Sequence, residues 1–213
     1  VKTNIDVLQH LDDLISHLTD LHAEISGKWS EMQGNEEQPN LKRKQVRDVV
    51  VDIPLYEMVL GYRMFLTSLD QCPIVRFGME GFDVRCRTKM PNSVQSKTER
   101  YLNMEHRGHV SMNKCFNDLF GIRAIMDTEV THAEIRDHIL GTHDVRCTDS
   151  SKMDPRSGEL IYIATHVYIG KRNTDFPWEL QIWFSKDAAM NYASHERTKQ
   201  GYTAWDVENG DIP

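Results

Sequence analysis

No apolar run in this chain approaches the roughly 18 residues that a membrane-spanning helix needs. No charged-then-apolar leader pattern opens it, so neither an integral membrane protein nor a secreted one is expected. Cysteine is scarce: Cys72, Cys86, Cys115 and Cys147 are widely scattered and form no paired framework, which predicts buried thiols and a cytoplasmic protein. A zinc set is also missing, because His106, His109 and Cys115 are loosely spaced and lack the paired Cys/His pattern of a structural site. Internal repeats and low-complexity segments are absent. What remains is a globular composition of 213 residues, 39% hydrophobic and 27% charged. That length suits one α/β domain with helical additions and is too short for two enzyme domains.

Charge is unevenly spread. The net value is −7, yet nine Lys/Arg between Arg76 and Arg123 face five Asp/Glu, leaving that stretch at +4 and the remainder at −11. A basic centre in an acidic chain points to a local anionic ligand rather than to general affinity for a nucleic-acid backbone.

Residues 3–33 read as one amphipathic helix: Thr3 and Asp6 have capping-box spacing, and Ile5, Leu8, Leu11, Ile15, Leu18, Leu21, Ile25 and Trp29 share a face. GNEEQPN (34–40) is a loop by composition. Helical patterns resume in LKRKQVRDVV and, after Pro54, in LYEMVLGYRMFLTSL. This N-terminal helical region, 1–75, carries no recognisable chemistry and is expected to pack on the core or to offer a surface to a partner. From Phe82 the period changes. FDVRCRTK alternates, with Phe82, Val84 and Cys86 against Asp83, Arg85, Arg87 and Lys89. A helix over about 92–103, a strand at FGIRAIMD, and a helix from the Thr131–Glu134 capping box to Gly141 follow. HDVRC, LIYIATHVYIG and WELQIWF are three more strands, and a last helix runs from about Ser185 past His195. Such an order predicts an α/β (α+β) fold, a mixed β-sheet flanked by helices with an N-terminal helical extension, and a second region at 76–213.

The residues with chemical potential fall in four places. Arg87 and Lys89 share a strand face, and Ser93 and Lys97 lie one turn apart on the following helix, so cations gather at a strand-to-helix turn whose helix N-terminus adds its own donors. That arrangement suits a polyphosphate, and the same residues also suit a solvated, salt-bridged face. Asp118 precedes one strand and Glu179 sits opposite the apolar face of another; two such carboxylates can hold Mg²⁺ against a triphosphate. Taken singly, each also reads as a turn residue or a solvent-facing one. Tyr162, Ala164, His166 and Tyr168 share a face of LIYIATHVYI, where small Ala164 would leave the Tyr162 ring open to a base. Burial of Tyr162 and His166 in a core or interface is the alternative.

In combination these segments read Arg-x-Lys-x₃-Ser-x₃-Lys (RTKMPNSVQSK), Asp-x-x-Gly-Ile-Arg (DLFGIR), Tyr-x-Ala-x-His (YIATH) and Glu-x-Gln-Ile (ELQI), followed by a helix carrying His195. In this order and with these gaps the chain resembles the synthetase domain of the RelA/SpoT family in its short, single-domain form, over about residues 82–196. The resemblance implies a nucleotidyltransferase-like mixed sheet and transfer of the β,γ-pyrophosphate of ATP to the 3′-hydroxyl of GDP or GTP. It further implies that Arg87 packs on adenine and that Lys89, Ser93 and Lys97 hold the ATP phosphates. Asp118 and Glu179 would be the catalytic Mg²⁺ carboxylates, Glu179 also taking the acceptor proton. Tyr162 would stack on the acceptor base, with Arg123, His166 and Gln181 lining the acceptor side.

The acceptor half departs from the family pattern. Ile161-Tyr162-Ile163 replaces Gly-Tyr-Arg/Lys, Gly158 stands where a lysine is usual, and Gln181-Ile182-Trp183-Phe184 replaces Gln-Ile-Arg-Thr. Three readings therefore stand: an alarmone synthetase, a toxin of the same family that acts on the tRNA 3′ end or on adenine nucleotides, and an inactive nucleotide- or partner-binding module. The basic run LKRKQVR suits the second, and retention of both carboxylates weighs against the third. An antitoxin or a second copy of the chain would be a partner for the N-terminal helix. His143-Asp144 resembles the pair in the family's hydrolase domain, but the chain has no room for that domain.

Overall fold

The computed structural model describes residues 4–34, 38–69, 82–103 and 106–197. Thr3, Cys72 and the expected boundary between 75 and 76 lie outside the described residues. Three helices come first: α1 (Asn4–Met32), α2 (Val46–Val51) and α3 (Ile53–Ser68). The remainder alternates as β1 (Phe82–Thr88), α4 (Pro91–Asn103), α5 (Met112–Cys115), β2 (Phe120–Met126), α6 (His132–Thr142), β3 (Arg146–Met153), β4 (Leu160–Ile169) and β5 (Trp178–Phe184). A final helix, α7, covers 188–197. The architecture is thus α+β, a five-stranded mixed sheet with helices against it.

The strand order is β1-β2-β5-β4-β3, parallel only between β2 and β5. Strand alternation gives the sheet two unlike faces. Ile122, Ala124 and Met126 of β2, Leu180, Ile182 and Phe184 of β5, and Val167 and Ile169 of β4 are buried in one core with Leu11, Leu14, Ile15 and Leu18 of α1 and Val59 and Tyr62 of α3. The N-terminal helices therefore bury their apolar stripe in the same core as the sheet. Trp178 donates its indole N–H to the Tyr62 hydroxyl at 3.0 Å, and Tyr62 stacks on Phe176 with ring centroids 4.8 Å apart. His22 joins this core, donating from Nε2 to the Phe176 carbonyl at 3.0 Å, with its pKa lowered mainly by burial.

The Thr131–Glu134 capping box forms as expected: the Thr131 hydroxyl accepts from Glu134 N–H at 3.2 Å, and the Glu134 carboxylate accepts from Thr131 N–H at 2.8 Å. Three expectations need correction. HDVRC is not the strand; β3 runs from Arg146 to Met153, an edge strand in which Cys147 alone is fully buried, so its polar sequence shows no alternation. LKRKQVRDVV is helical only from Val46, the start of α2, because the Asn40 side chain accepts from Lys42 and Arg43 N–H and holds the preceding residues in a turn. Cys115 and Cys147 are buried free thiols, but half-buried Cys86 on β1 is disulfide-bonded.

Helix α7 is seated by one side chain. Fully buried Asn191 donates to the Ile163 carbonyl at 2.8 Å and accepts from its N–H at 2.9 Å, completing the β4 backbone beyond the point where β5 pairing begins at Thr165. Asn191→Ala leaves both backbone groups buried without partners, at about 1–3 kcal/mol for each unsatisfied group. Urea denaturation should show that loss with an unchanged m-value; a midpoint equal to wild type would mean that α7 is held by its other contacts.

Candidate functional site

The face of the sheet opposite the core carries the polar side chains. Pairing sets Arg87 beside Gly121, Gly121 beside Glu179 and Glu179 beside Tyr168. One residue pair further along, Arg85, Arg123, Gln181 and His166 lie in the next row. Gly121 leaves a gap in the first row: a Cβ built there meets nothing within 4 Å. That gap separates the Arg87 side from Glu179.

At the end of this face, Asp118 holds two lysines. Its Oδ2 accepts from Lys89 Nζ at 2.6 Å and its Oδ1 from Lys97 Nζ at 2.9 Å. Lys97 also reaches buried Asn117 Oδ1 at 3.3 Å. The side chains keep only 13–19% exposure, so the three charges are largely out of water. Burial alone would raise the Asp118 pKa, but the Lys97 and Lys89 ammoniums outweigh it and hold the carboxyl well below its usual range. Burial lowers the Lys89 pKa, and its two cationic neighbours, Lys97 and Arg87, add to that. Lys97 is raised, because Asp118 outweighs its burial.

Local folding places these groups. Lys89 follows β1, with its N–H bonded to the Leu119 carbonyl at 2.9 Å and its carbonyl accepting from Arg63 Nε at 2.8 Å. Arg63 thus ties α3 to the turn, and no spacing in the sequence signals it. Lys97 lies one turn beyond Ser93 on α4, whose Val94, Thr98 and Tyr101 face inward. Ser93 is half-buried in the first turn of that helix, and Arg87 is exposed on edge strand β1.

A second hydrogen-bonded set crosses β4 and β5. Glu179 Oε1 accepts from His166 Nδ1 at 2.9 Å and its Oε2 from Gln181 Nε2 at 2.8 Å. Burial would raise the Glu179 pKa; the hydrogen bond and charge of His166 outweigh it, so the carboxyl is held below its usual range. The negative charge of Asp118 acts on Glu179 in the opposite sense. Gln181 passes the contact on, accepting from Arg123 Nη2 at 3.3 Å. The guanidinium of Arg123 lies 3.6 Å over the Trp183 ring, and α7 covers it with Tyr192 and His195.

The structure therefore gathers Lys89, Lys97 and Asp118 into one cluster, and Glu179, His166, Gln181 and Arg123 into a neighbouring one. Tyr162 belongs to the second, but not as an open shelf. Its ring is 3% exposed, packed with Ala164 and Trp183 and covered by His195 at a centroid distance of 5.6 Å. The expectation that Ala164 leaves this ring accessible is corrected, because α7 lies over it. Tyr168 is the half-buried aromatic of the same face, with Arg146 of β3 4.0 Å over its ring. Sequence reasoning put Tyr168 on that face and Arg146 in the HDVRC segment but gave neither a role, since no spacing signals that the two meet across β3 and β4.

No protein-family model and no curated protein matches the chain. Among solved structures it is similar to the small alarmone synthetase 1 from Bacillus subtilis, at 16% identity and a TM-score of 0.37, covering 78% of this chain and 81% of that one. It is also similar to a GTP pyrophosphokinase family protein from Streptococcus pneumoniae, at 18% identity and a TM-score of 0.36, covering 76% and 77%. The small alarmone synthetase 2 from Bacillus subtilis gives 20% identity and a TM-score of 0.35, covering 75% and 84%.

The covered position of His195 has a consequence for stability. Burial, then the positive charges of Arg123, Arg87 and Lys152, push its pKa down to about 4, so the folded protein holds it neutral where an unfolded chain protonates near 6.5. The unfolded state then binds the extra proton, and stability falls as pH drops from about 6.5 to about 4. His195→Gln should flatten that part of a plot of unfolding free energy against pH. An unchanged slope would mean that His195 takes a proton while folded.

Proposed function

We propose that this chain is an ATP-dependent pyrophosphokinase, transferring the β,γ-pyrophosphate of ATP to the 3′-hydroxyl of a guanine nucleotide, GDP or GTP. The observation that carries the reading is the convergence of Lys89, Lys97, Asp118 and Glu179 around the Gly121 gap, from segments spread over 90 residues of chain. Lysines held by a carboxylate at a helix N-terminus are suited to exchange that carboxylate for phosphate oxygens when a triphosphate enters. Little covalent chemistry is required of the protein; charge placed against the transferring group supplies the rate.

The residues fit a magnesium ion. Asp118 and Glu179 would share the ion with phosphate and water oxygens, the arrangement magnesium favours. When bound, Mg²⁺ neutralises charge on the phosphate oxygens. His166 and Gln181 meanwhile orient Glu179 towards the gap, where it accepts the proton of the attacking hydroxyl. Arg87, exposed at the rim of the same gap, would pack on adenine, with Ser93 beside the phosphates.

A second reading, an RNA 3′ end as acceptor, is favoured by one arrangement. Exposed Lys42, Arg43 and Arg47 are fastened to α5 by bonds from Met112 N–H to the Lys44 carbonyl and from Asn113 N–H to the Leu41 carbonyl, and exposed Lys114 adds to them. Of that basic surface, α5 shortly precedes Asp118 along the chain.

The test is incubation with γ-labelled ATP, Mg²⁺ and each of GDP, GTP, ATP and bulk tRNA. Label in GDP or GTP is expected; label in tRNA alone would establish the second reading, and no label in any acceptor would overturn both. Glu179→Gln should abolish transfer with little change in melting temperature. Lys97→Ala should weaken ATP use with every acceptor by about 1.5–3 kcal/mol, or roughly 10- to 150-fold, the worth of one charge-assisted contact. Asp118→Asn should lose both transfer and stability, because it leaves two largely buried ammoniums without their counter-charge.

A further inference from the structure

We infer that Arg146, held over the ring of Tyr168, grips the 5′-phosphates of the acceptor nucleotide and so selects a nucleoside 5′-di- or triphosphate over an acceptor that lacks them. The inference rests on the pyrophosphokinase reading for which hydroxyl meets Glu179, but the phosphate site itself is testable without catalysis.

Strand register sets one continuous row across the polar face of the sheet: Arg87, Gly121, Glu179, Tyr168 and Arg146, one residue from each of the five strands. Neighbouring strands lie about 4.8 Å apart, so the backbones of Arg87 and Arg146 sit about 10 Å to either side of Glu179. The central carboxylate thus has one arginine on each flank. Lys89 follows β1 beside Arg87, which commits that flank to the donor triphosphate. An acceptor whose 3′-hydroxyl meets Glu179 keeps its own phosphates clear of the donor's by laying them towards β4 and β3. Arg146 is the cation of the row on that side.

The way Arg146 is held leaves it able to do this. Its guanidinium lies 4.0 Å over the Tyr168 ring. That contact uses the flat face of the group and none of its five N–H donors, which lie in its plane. Arg85, Arg136 and Arg172 spend theirs on Asp83, Asp149 and Asp175, whereas exposed Arg146 has no carboxylate partner among the described residues. Arg123 also lies over a ring, but Gln181 takes one of its donors and α7 covers it. Tyr168 is a firm base for the contact, because its neighbours Val167 and Ile169 are buried in the core. An arginine fixed by its face, with its donors free, matches the paired oxygens of a phosphate. The alternative is that Arg146 merely fastens edge strand β3 to β4, and that role predicts a loss of stability rather than of acceptor selectivity.

Arg146→Gln separates the two, because it removes the charge and keeps part of the stem. Wild type and variant are compared in melting temperature, in equilibrium dialysis of labelled GDP and labelled guanosine without ATP, and in steady-state transfer to GDP. Wild type should bind GDP more tightly than guanosine. Arg146→Gln should weaken GDP binding about 10- to 150-fold, the worth of one charge-assisted contact, and change guanosine binding less than about twofold. Its kcat/KM for GDP should fall in proportion, while KM for ATP and the melting temperature stay at wild-type values. Arg146→Lys should recover only part of the loss, since an ammonium lacks the planar fork that bridges two oxygens. Equal GDP affinity in wild type and Arg146→Gln would overturn the inference. So would a variant that loses GDP and guanosine alike with a lowered melting temperature, or a wild type that does not bind GDP. Should wild type bind GDP yet transfer to no acceptor, the pyrophosphokinase reading falls, while the difference in GDP binding still decides the phosphate site.

Discussion

Two ammonium groups brought to within bonding distance of one largely buried carboxylate repel each other, and Asp118 keeps Lys89 and Lys97 together. The cost of moving these charges out of water is offset only while all three are present. That constraint reaches outward. The turn after β1 must hold Lys89, which it does by bonding Leu119 and Arg63; α4 must present Lys97 on its first turns; Asn117 must be buried beside it. The cluster carries one net positive charge, without the repulsion that two unpaired lysines would add.

The sheet supplies the other half by separating its faces. Helices α1, α3 and α6 cover one side, so every second residue of β2 and β5 is committed to the core. The alternate residues are then free to be polar, and the parallel β2–β5 pair sets Gly121 directly beside Glu179. Rigid strands, not loops, hold the second carboxylate. This is why His166 and Gln181 can both bond it at 2.8–2.9 Å.

Much of this was legible in the residues themselves. FDVRCRTK, FGIRAIMD and WELQIWF alternate because one face is buried, and those strands lie close to where their periods place them. The Gly121–Arg123 and Tyr162–His166 spacings likewise put each pair on one face. β3 was not legible, since an edge strand with polar residues on both sides has no period to read. Arg63 and Asn191 left no trace for a different reason: each bonds a backbone group far away in sequence, which any residue could have supplied. The burial of Tyr162 was hidden similarly, because α7, about 30 residues later, covers it.

The departures from the resembled pattern around Trp183 have a common physical sense. Trp183 stands where the family pattern has a cation, and the structure lays the Arg123 guanidinium on its indole at 3.6 Å. A partly desolvated cation over an aromatic face is worth about 2 kcal/mol, more than the same charge gains in water. Arg123 is thereby held down against the sheet, between Gln181 and His195, instead of projecting from it. A ring of neutral groups, Trp183, Tyr192 and His195, replaces exposed positive charge on that side. The structure thus separates a strongly ionic half at Asp118 from a largely neutral half at Trp183; on the pyrophosphokinase reading, the first would bind the triphosphate and the second would meet the acceptor.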